Sequence, residues 1–147
     1  MNETLIVALK IALANTFSMY AKAHAYHWNV QGPLFVQYHD FFGELYEELH
    51  GAIDPLAEEI RMLNAPAPHS ITNILAHSTI PCDTTVYTSF QDMLSSLIGA
   101  NQQVIMSLDT TFKLADEQGL QGLADVIAAR LSMHKKHQWM LTTSLSV

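Results

Sequence analysis

Half of the fourteen acidic residues in this chain of 147 fall between Asp40 and Glu59, and three of its eight histidines fall between His27 and His50. The surrounding sequence is largely apolar. Carboxylates and imidazoles in such surroundings are costly to bury unless they are paired or bound to a metal. His27, His39, Asp54 and Glu58 would supply a mixed nitrogen and oxygen donor set. That set suits iron, manganese or zinc, and the lack of a thiolate argues against a structural zinc site.

Helix geometry decides how those four residues could meet. Gly32-Pro33 breaks the chain, so His27 closes one helix and His39 stands in the second turn of the next. An antiparallel hairpin about the break can set the two imidazoles side by side. On the second helix, positions 39, 43, 47, 50, 54 and 58 recur at three- and four-residue steps and form one stripe. Along it His39 and Asp54 are roughly 22 Å apart at about 1.5 Å per residue, too far for one metal within one chain. Two copies crossing antiparallel about a two-fold axis near residues 46 and 47 would set His39 of one chain against Asp54 of the other, with Glu58 one turn further on.

The same residues carry a family resemblance. His27-Trp-Asn-Val-Gln-Gly32, a second histidine twelve residues on, and Asp54-Pro-Leu-Ala-Glu58 resemble the Dps (DNA protection during starvation) mini-ferritins. Residues 65–80 (APAPHSITNILAHSTI) and 136–141 (KHQWML) extend the likeness over most of the chain. The resemblance selects iron. It implies Fe(II) bound at a two-fold interface, oxidised by hydrogen peroxide more readily than by oxygen, and stored as ferric mineral in a hollow twelve-subunit cage. The implied activity is a ferroxidase. Its ligands would be His27 and His39 from one chain with Asp54 and Glu58 from the other, and zinc or manganese could take the same place.

One position departs from the family. Four residues after the second histidine its pattern has an aspartate, where this chain has Gly43. Two readings are open. His50 of the other chain, which a two-fold near 46 and 47 sets opposite position 43, could replace the lost ligand. Alternatively, Gly43 leaves a weakened site for one metal, His50 only packs, and the protein is a cage that has lost the chemistry.

The elements that must position these residues are helices, and the expected fold is all-α. The length suits one domain over 1–147, with a sizeable core. Helix-period apolar residues place one helix over about 2–31 and a second over about 35–63, with Pro55 inside it. Ser70 can cap a short helix, Ile71 to His77, across the outside of the bundle. A further helix is expected over about 86–116, and, after Gly119, a last one over about 120–144. Four long helices with a short extra one in the middle connection make a ferritin-like four-helix bundle.

Other features get plainer readings. His24, His69, His77, His134 and His137 are expected to be hydrogen-bonded structural residues, Trp28 and Trp139 core aromatics, and the seven methionines core filler. Glu3 and Lys10 interrupt the apolar N-terminal segment, so neither a cleaved leader nor a membrane span is expected. Cys82 is the lone cysteine, which excludes an intrachain disulfide and suits a reducing cytoplasm. A di-iron bundle complete within one chain would need Glu-x-x-His on two helices, but only Glu47-x-x-His50 occurs.

DNA binding rests on phosphate neutralisation, yet only seven residues are Lys or Arg, the net charge is −7, and neither end is basic. The oligomer should therefore leave duplex DNA unretarded in a gel at neutral pH with physiological magnesium. A retarded band that fades as salt is raised would contradict this.

Overall fold

A computed structural model describes residues 2–145. Met1, Ser146 and Val147, the outermost residues of the two non-basic ends, lie outside the described residues. The chain forms five helices: α1 (Glu3–Asn29), α2 (Phe35–Met62), α3 (Ile71–His77), α4 (Phe90–Glu117) and α5 (Gln121–Leu145). The four long ones make an all-α bundle. In it α1 packs against α2 and α4, α4 against α5, and α3 lies on α1. The core is a continuous cluster that includes Leu5, Leu9, Met19, Phe42, Leu49, Leu56, Leu97, Leu108 and Ile127, all fully buried.

Local chemistry sets the ends of the elements. α1 stops before Val30, whose backbone is extended and whose N–H still reaches the Tyr26 carbonyl at 3.0 Å. Gly32 then takes φ +126°, a value that L side chains rarely adopt. The turn is anchored where Gln31 N–H donates to Thr88 O at 2.9 Å. Ser70 caps α3 by accepting from Asn73 N–H at 3.0 Å, and Gly119 makes the α4–α5 turn at φ +69°.

Three expectations need correction. α4 begins at Phe90 rather than near 86, because Thr88 O is engaged by Gln31 and the Ser89 hydroxyl accepts from Asp92 N–H as the cap. Trp28 and Trp139 are not core residues; each is 64% exposed. Nor are the methionines uniformly core filler: Met19 and Met93 are buried, whereas Met62 and Met106 lie on the surface. In addition, α1 has the length and apolarity to cross a membrane after all. Its apolar positions Leu5, Leu9, Ala12 and Leu13 are, however, buried in the bundle.

The 78–89 connection is strapped to the bundle by polar side chains. Asn15 accepts from Thr79 N–H at 2.8 Å and donates to Thr79 Oγ1 at 2.9 Å, while Lys22 pairs with Asp83. The Tyr26 hydroxyl also donates to Asp83, and burial together with that carboxylate pushes the phenol well above its usual range.

α2 and α5 touch sparingly, and a buried polar network joins them. Arg130 makes a two-pronged ion pair with Glu48, and His137 Nε2 lies 2.7 Å from the same carboxylate. Arg130 Nη2 donates to His134 Nε2 at 2.9 Å, so that nitrogen carries a lone pair. The His134 proton is therefore on Nδ1, which donates to Asn101 Oδ1 at 2.7 Å, and Asn101 Nδ2 donates to His134 O and Gln138 Oε1. His134 and His137 are thus hydrogen-bonded within the fold.

The network makes stability fall with acid. Burial, then the charge of Arg130, holds fully buried His134 at about 3 instead of 6.5. The unfolded chain takes up that proton as pH falls through 6.5 and the fold refuses it, so stability is lost below 6.5. Against burial, the hydrogen bonds from His137 and Arg130 lower Glu48 to about 2. Its contribution is present above the ordinary 4.5 and is lost as pH falls towards 2. The thermal midpoint, followed by circular dichroism, should decline continuously from pH 6.5 to about pH 3, and His134→Gln should flatten the part between pH 6.5 and pH 4.5 while leaving a decline below 4.5 that Glu48 causes.

Candidate metal centre

The α1–α2 hairpin brings His27 and His39 together. Their rings stack with centroids 3.8 Å apart and planes 17° from parallel. Each imidazole bonds to the backbone of the other: His27 Nδ1 to His39 O, and His39 Nδ1 to His27 O, both at 2.6 Å. A carbonyl oxygen only accepts, so each Nδ1 carries the proton. Each Nε2 has no hydrogen-bond partner among the described residues, and in the neutral form of the ring it is the nitrogen that carries the lone pair. A backbone carbonyl on the far nitrogen is the usual way to orient a metal-ligating histidine.

The seam continues in layers. Tyr46 stacks on His24 at 3.9 Å and 9°, with its ring 5.3 Å from that of His27. One layer further, the half-exposed Tyr20 hydroxyl lies 3.0 Å from His24 Nδ1, and the His50 ring sits 5.1 Å from that of Tyr20. Burial, then the nearby His27 and His50, lowers the pKa of His24 from 6.5. His50 itself is exposed in the isolated chain.

Gly43 lies buried directly beneath His27. A Cβ built there would stand 3.2 Å from both Cε1 and Nδ1 of that ring.

Asp54 and Glu58 lie further along α2, exposed, and the single chain does not bring them to the imidazole pair. Among the described residues no three of His, Cys, Asp and Glu gather into a metal cluster. Beside Glu58, burial pushes Glu59 above the ordinary 4.5, a perturbed carboxyl that no sequence pattern marks. The Glu48–Arg130–His134–His137 network is likewise absent from the sequence reading. Its one visible trace is the spacing of Arg130, His134 and His137, which puts all three on one stripe of α5.

Comparison with known proteins places the chain. The family model for the ferritin-like domain matches residues 6–147. The chain is 32% identical over 143 residues to the DNA protection during starvation protein of Brevibacillus brevis, covering 97% of this chain and 95% of that one. It is 32% identical over 145 residues to general stress protein 20U of Bacillus subtilis (strain 168), covering 99% of each. Among solved structures, the Dps protein of Vibrio cholerae O1 superposes with a TM-score of 0.94 at 30% identity, over 99% of this chain and 91% of that one. That protein is described as one of a broad superfamily of ferritin-like diiron-carboxylate proteins.

The position of Gly43 generates a stability test. An alanine in mid-helix is favoured over glycine by about 1 kcal/mol. At Gly99, in α4 with nothing within 4 Å of an added methyl, that gain should appear. At Gly43 the methyl must move His27 by a few tenths of an ångström against its 2.6 Å bond to His39 O. Gly43→Ala should therefore gain clearly less than Gly99→Ala in thermal or denaturant unfolding, and equal gains would contradict the packing.

Proposed function

This chain belongs to the ferritin-like family and, within it, to the Dps mini-ferritins, and from that premise we propose that it is a ferroxidase taking Fe(II) as its substrate at the interface of a two-fold dimer. The donors are His27 and His39 of one subunit with Asp54 and Glu58 of the partner subunit. The observation that carries this reading is the reciprocal pair of Nδ1–carbonyl bonds, which leaves two fixed imidazoles with their Nε2 lone pairs uncommitted.

The assignment of roles follows from the donors. Neutral imidazole suits Fe(II), and the carboxylates offset its charge and favour the ferric product. Hydrogen peroxide takes two electrons and two protons to give two waters, so each peroxide oxidises two Fe(II) ions. Pairing oxidation with storage in a closed twelve-subunit shell would be redundant for a free enzyme and natural for a cage. We assign the dodecamer, ferric storage and protection from peroxide on the likeness to the starvation and stress proteins named above. Zinc and manganese would compete for the same donors, and a cytoplasmic setting suits the exposed single thiol of Cys82.

Gly43 favours a second reading, a cage that binds iron but oxidises it poorly. The ring of His27 stands over the place where a carboxylate would begin. Whether His50 of the partner subunit takes that role is decided by function.

Anaerobic Fe(II) titration of the purified oligomer, followed by a peroxide pulse read at the ferric absorbance, tests the proposal. Saturable uptake and oxidation faster than in protein-free buffer are expected, with His39→Ala and Asp54→Asn each weakening binding by at least the roughly 10- to 100-fold that loss of a ligand's supporting partner alone costs. Loss of uptake in His50→Ala, with no gain in Gly43→Asp, would assign the extra ligand to His50; the reverse would remove it. Oxidation no faster than in buffer would leave the cage reading.

A further inference from the structure

Between α2 and α5, which touch sparingly, lies a cavity of about 160 Å³. Its apolar walls are Phe41 and Leu45 of α2 with Met133, Met140 and Leu141 of α5. Phe41 and Leu45 are off the 39–58 stripe, so the proposed interface chemistry does not use this space. An apolar cavity of about 150 Å³ accepts a benzene ring, whereas one water needs only roughly 10–15 Å³. The space is ring-sized. Two thioethers in the wall suit a ring as well, because sulfur packs favourably against aromatic edges and methionine adapts its shape.

One buried polar side chain reaches this space. His137 lines the cavity and is only 7% exposed. Its Nε2 donates to Glu48 Oε1 at 2.7 Å, since the ionised Glu48 carboxylate only accepts. Nδ1, on the other side of the ring, has no hydrogen-bond partner among the described residues. It does not turn back to its own helix, as His77 Nδ1 does to Asn73 O at 2.9 Å. Nor is it sealed in the core: among the described residues, the fully buried side-chain nitrogen left without a partner is Arg130 Nε. His137 Nδ1 therefore keeps access to open space, and the space that His137 lines is this cavity. In the neutral ring that nitrogen carries the lone pair. Glu44 and Lys136, also at the cavity, are exposed.

We propose that the cavity is a binding site for a small neutral phenol, its ring held between Phe41, Leu45 and the two methionines and its hydroxyl donating to His137 Nδ1. Each part of the ligand answers a feature of the site. An unmet acceptor calls for an O–H donor. The Glu48 carboxylate beside the imidazole disfavours an anion, and a phenol is neutral at neutral pH. The bond to Glu48 also fixes the tautomer of His137, so the acceptor is set before the ligand arrives. The bound ring would bridge α2 and α5 where they have few contacts of their own.

The test is a titration of the natural protein, labelled with carbon-13 at its methionine methyl groups, with phenol and separately with anisole, which has the same ring but no O–H. Phenol should shift the Met133 and Met140 signals saturably, with a dissociation constant of about 1 mM or tighter. The signals of surface Met62 and Met106 should stay in place. Anisole should bind at least roughly fivefold more weakly, the share of one hydrogen bond. Met133→Trp, at a half-buried wall position, should fill the cavity and abolish the phenol shift of Met140. Absence of a saturable shift, equal shifts at Met62 and Met106, equal affinity for phenol and anisole, or binding that survives in folded Met133→Trp would each overturn the proposal. Should that variant fail to fold, the comparison of phenol with anisole on the natural protein decides. No readout involves metal, so the outcome does not depend on whether the interface oxidises iron.

Discussion

The two hydrogen bonds by which His27 and His39 hold each other's backbone are the constraint on which the α1–α2 hairpin depends. Each is worth about 1 kcal/mol net, modest beside the apolar burial of Phe42, Leu49 and Leu56. Their importance is register. With His27 fixed against His39, the antiparallel helices must set His24 against Tyr46 and Tyr20 against His50, and those layers are observed. A slip by one turn would separate the stacked rings and leave both Nδ1 protons without their acceptors. The bonds that orient the imidazoles are thus the same ones that align the helices.

Gly43 belongs to this arrangement. Read on the sequence it is a defect, a helix-weakening residue in place of a ligand. In the fold it lies buried under the His27 ring, with 3.2 Å between that ring and any added Cβ. The close stacking and the absence of a side chain at 43 are therefore coupled, since a larger residue there would press on the ring from below.

Much of the architecture was legible because it is written in local chemistry. Gly32-Pro33, Ser70 and Gly119 stop or cap helices by backbone geometry that acts over a few residues, and the bounds of α2 and α3 follow closely. The start of α4 was less legible, because it is set by Gln31 taking the Thr88 carbonyl across 57 positions of sequence. The exposure of Trp28 and Trp139 was hidden for a different reason: apolarity marks what a chain will bury, but not whether burial is completed within one copy. The pairing of Glu48 with Arg130 and His137 was hidden because it lies off the 39–58 stripe and joins residues 82 and 89 positions apart.

That pairing also shows how the chain distributes charge. Of the seven carboxylates between Asp40 and Glu59, Glu48 alone forms an intrachain ion pair among the described residues. The only Lys or Arg on α2, Arg61, donates to Ala65 O instead. The carboxylate on the α5 side of α2 is thus neutralised from within, by a cation the sequence itself supplies. Asp54 and Glu58 are left exposed without one, on the helix that also holds the uncommitted imidazole of His39. On the proposed function, a bundle that compensates its interior carboxylate and leaves the exterior donors open would direct cations to its surface, for a second copy to complete their coordination.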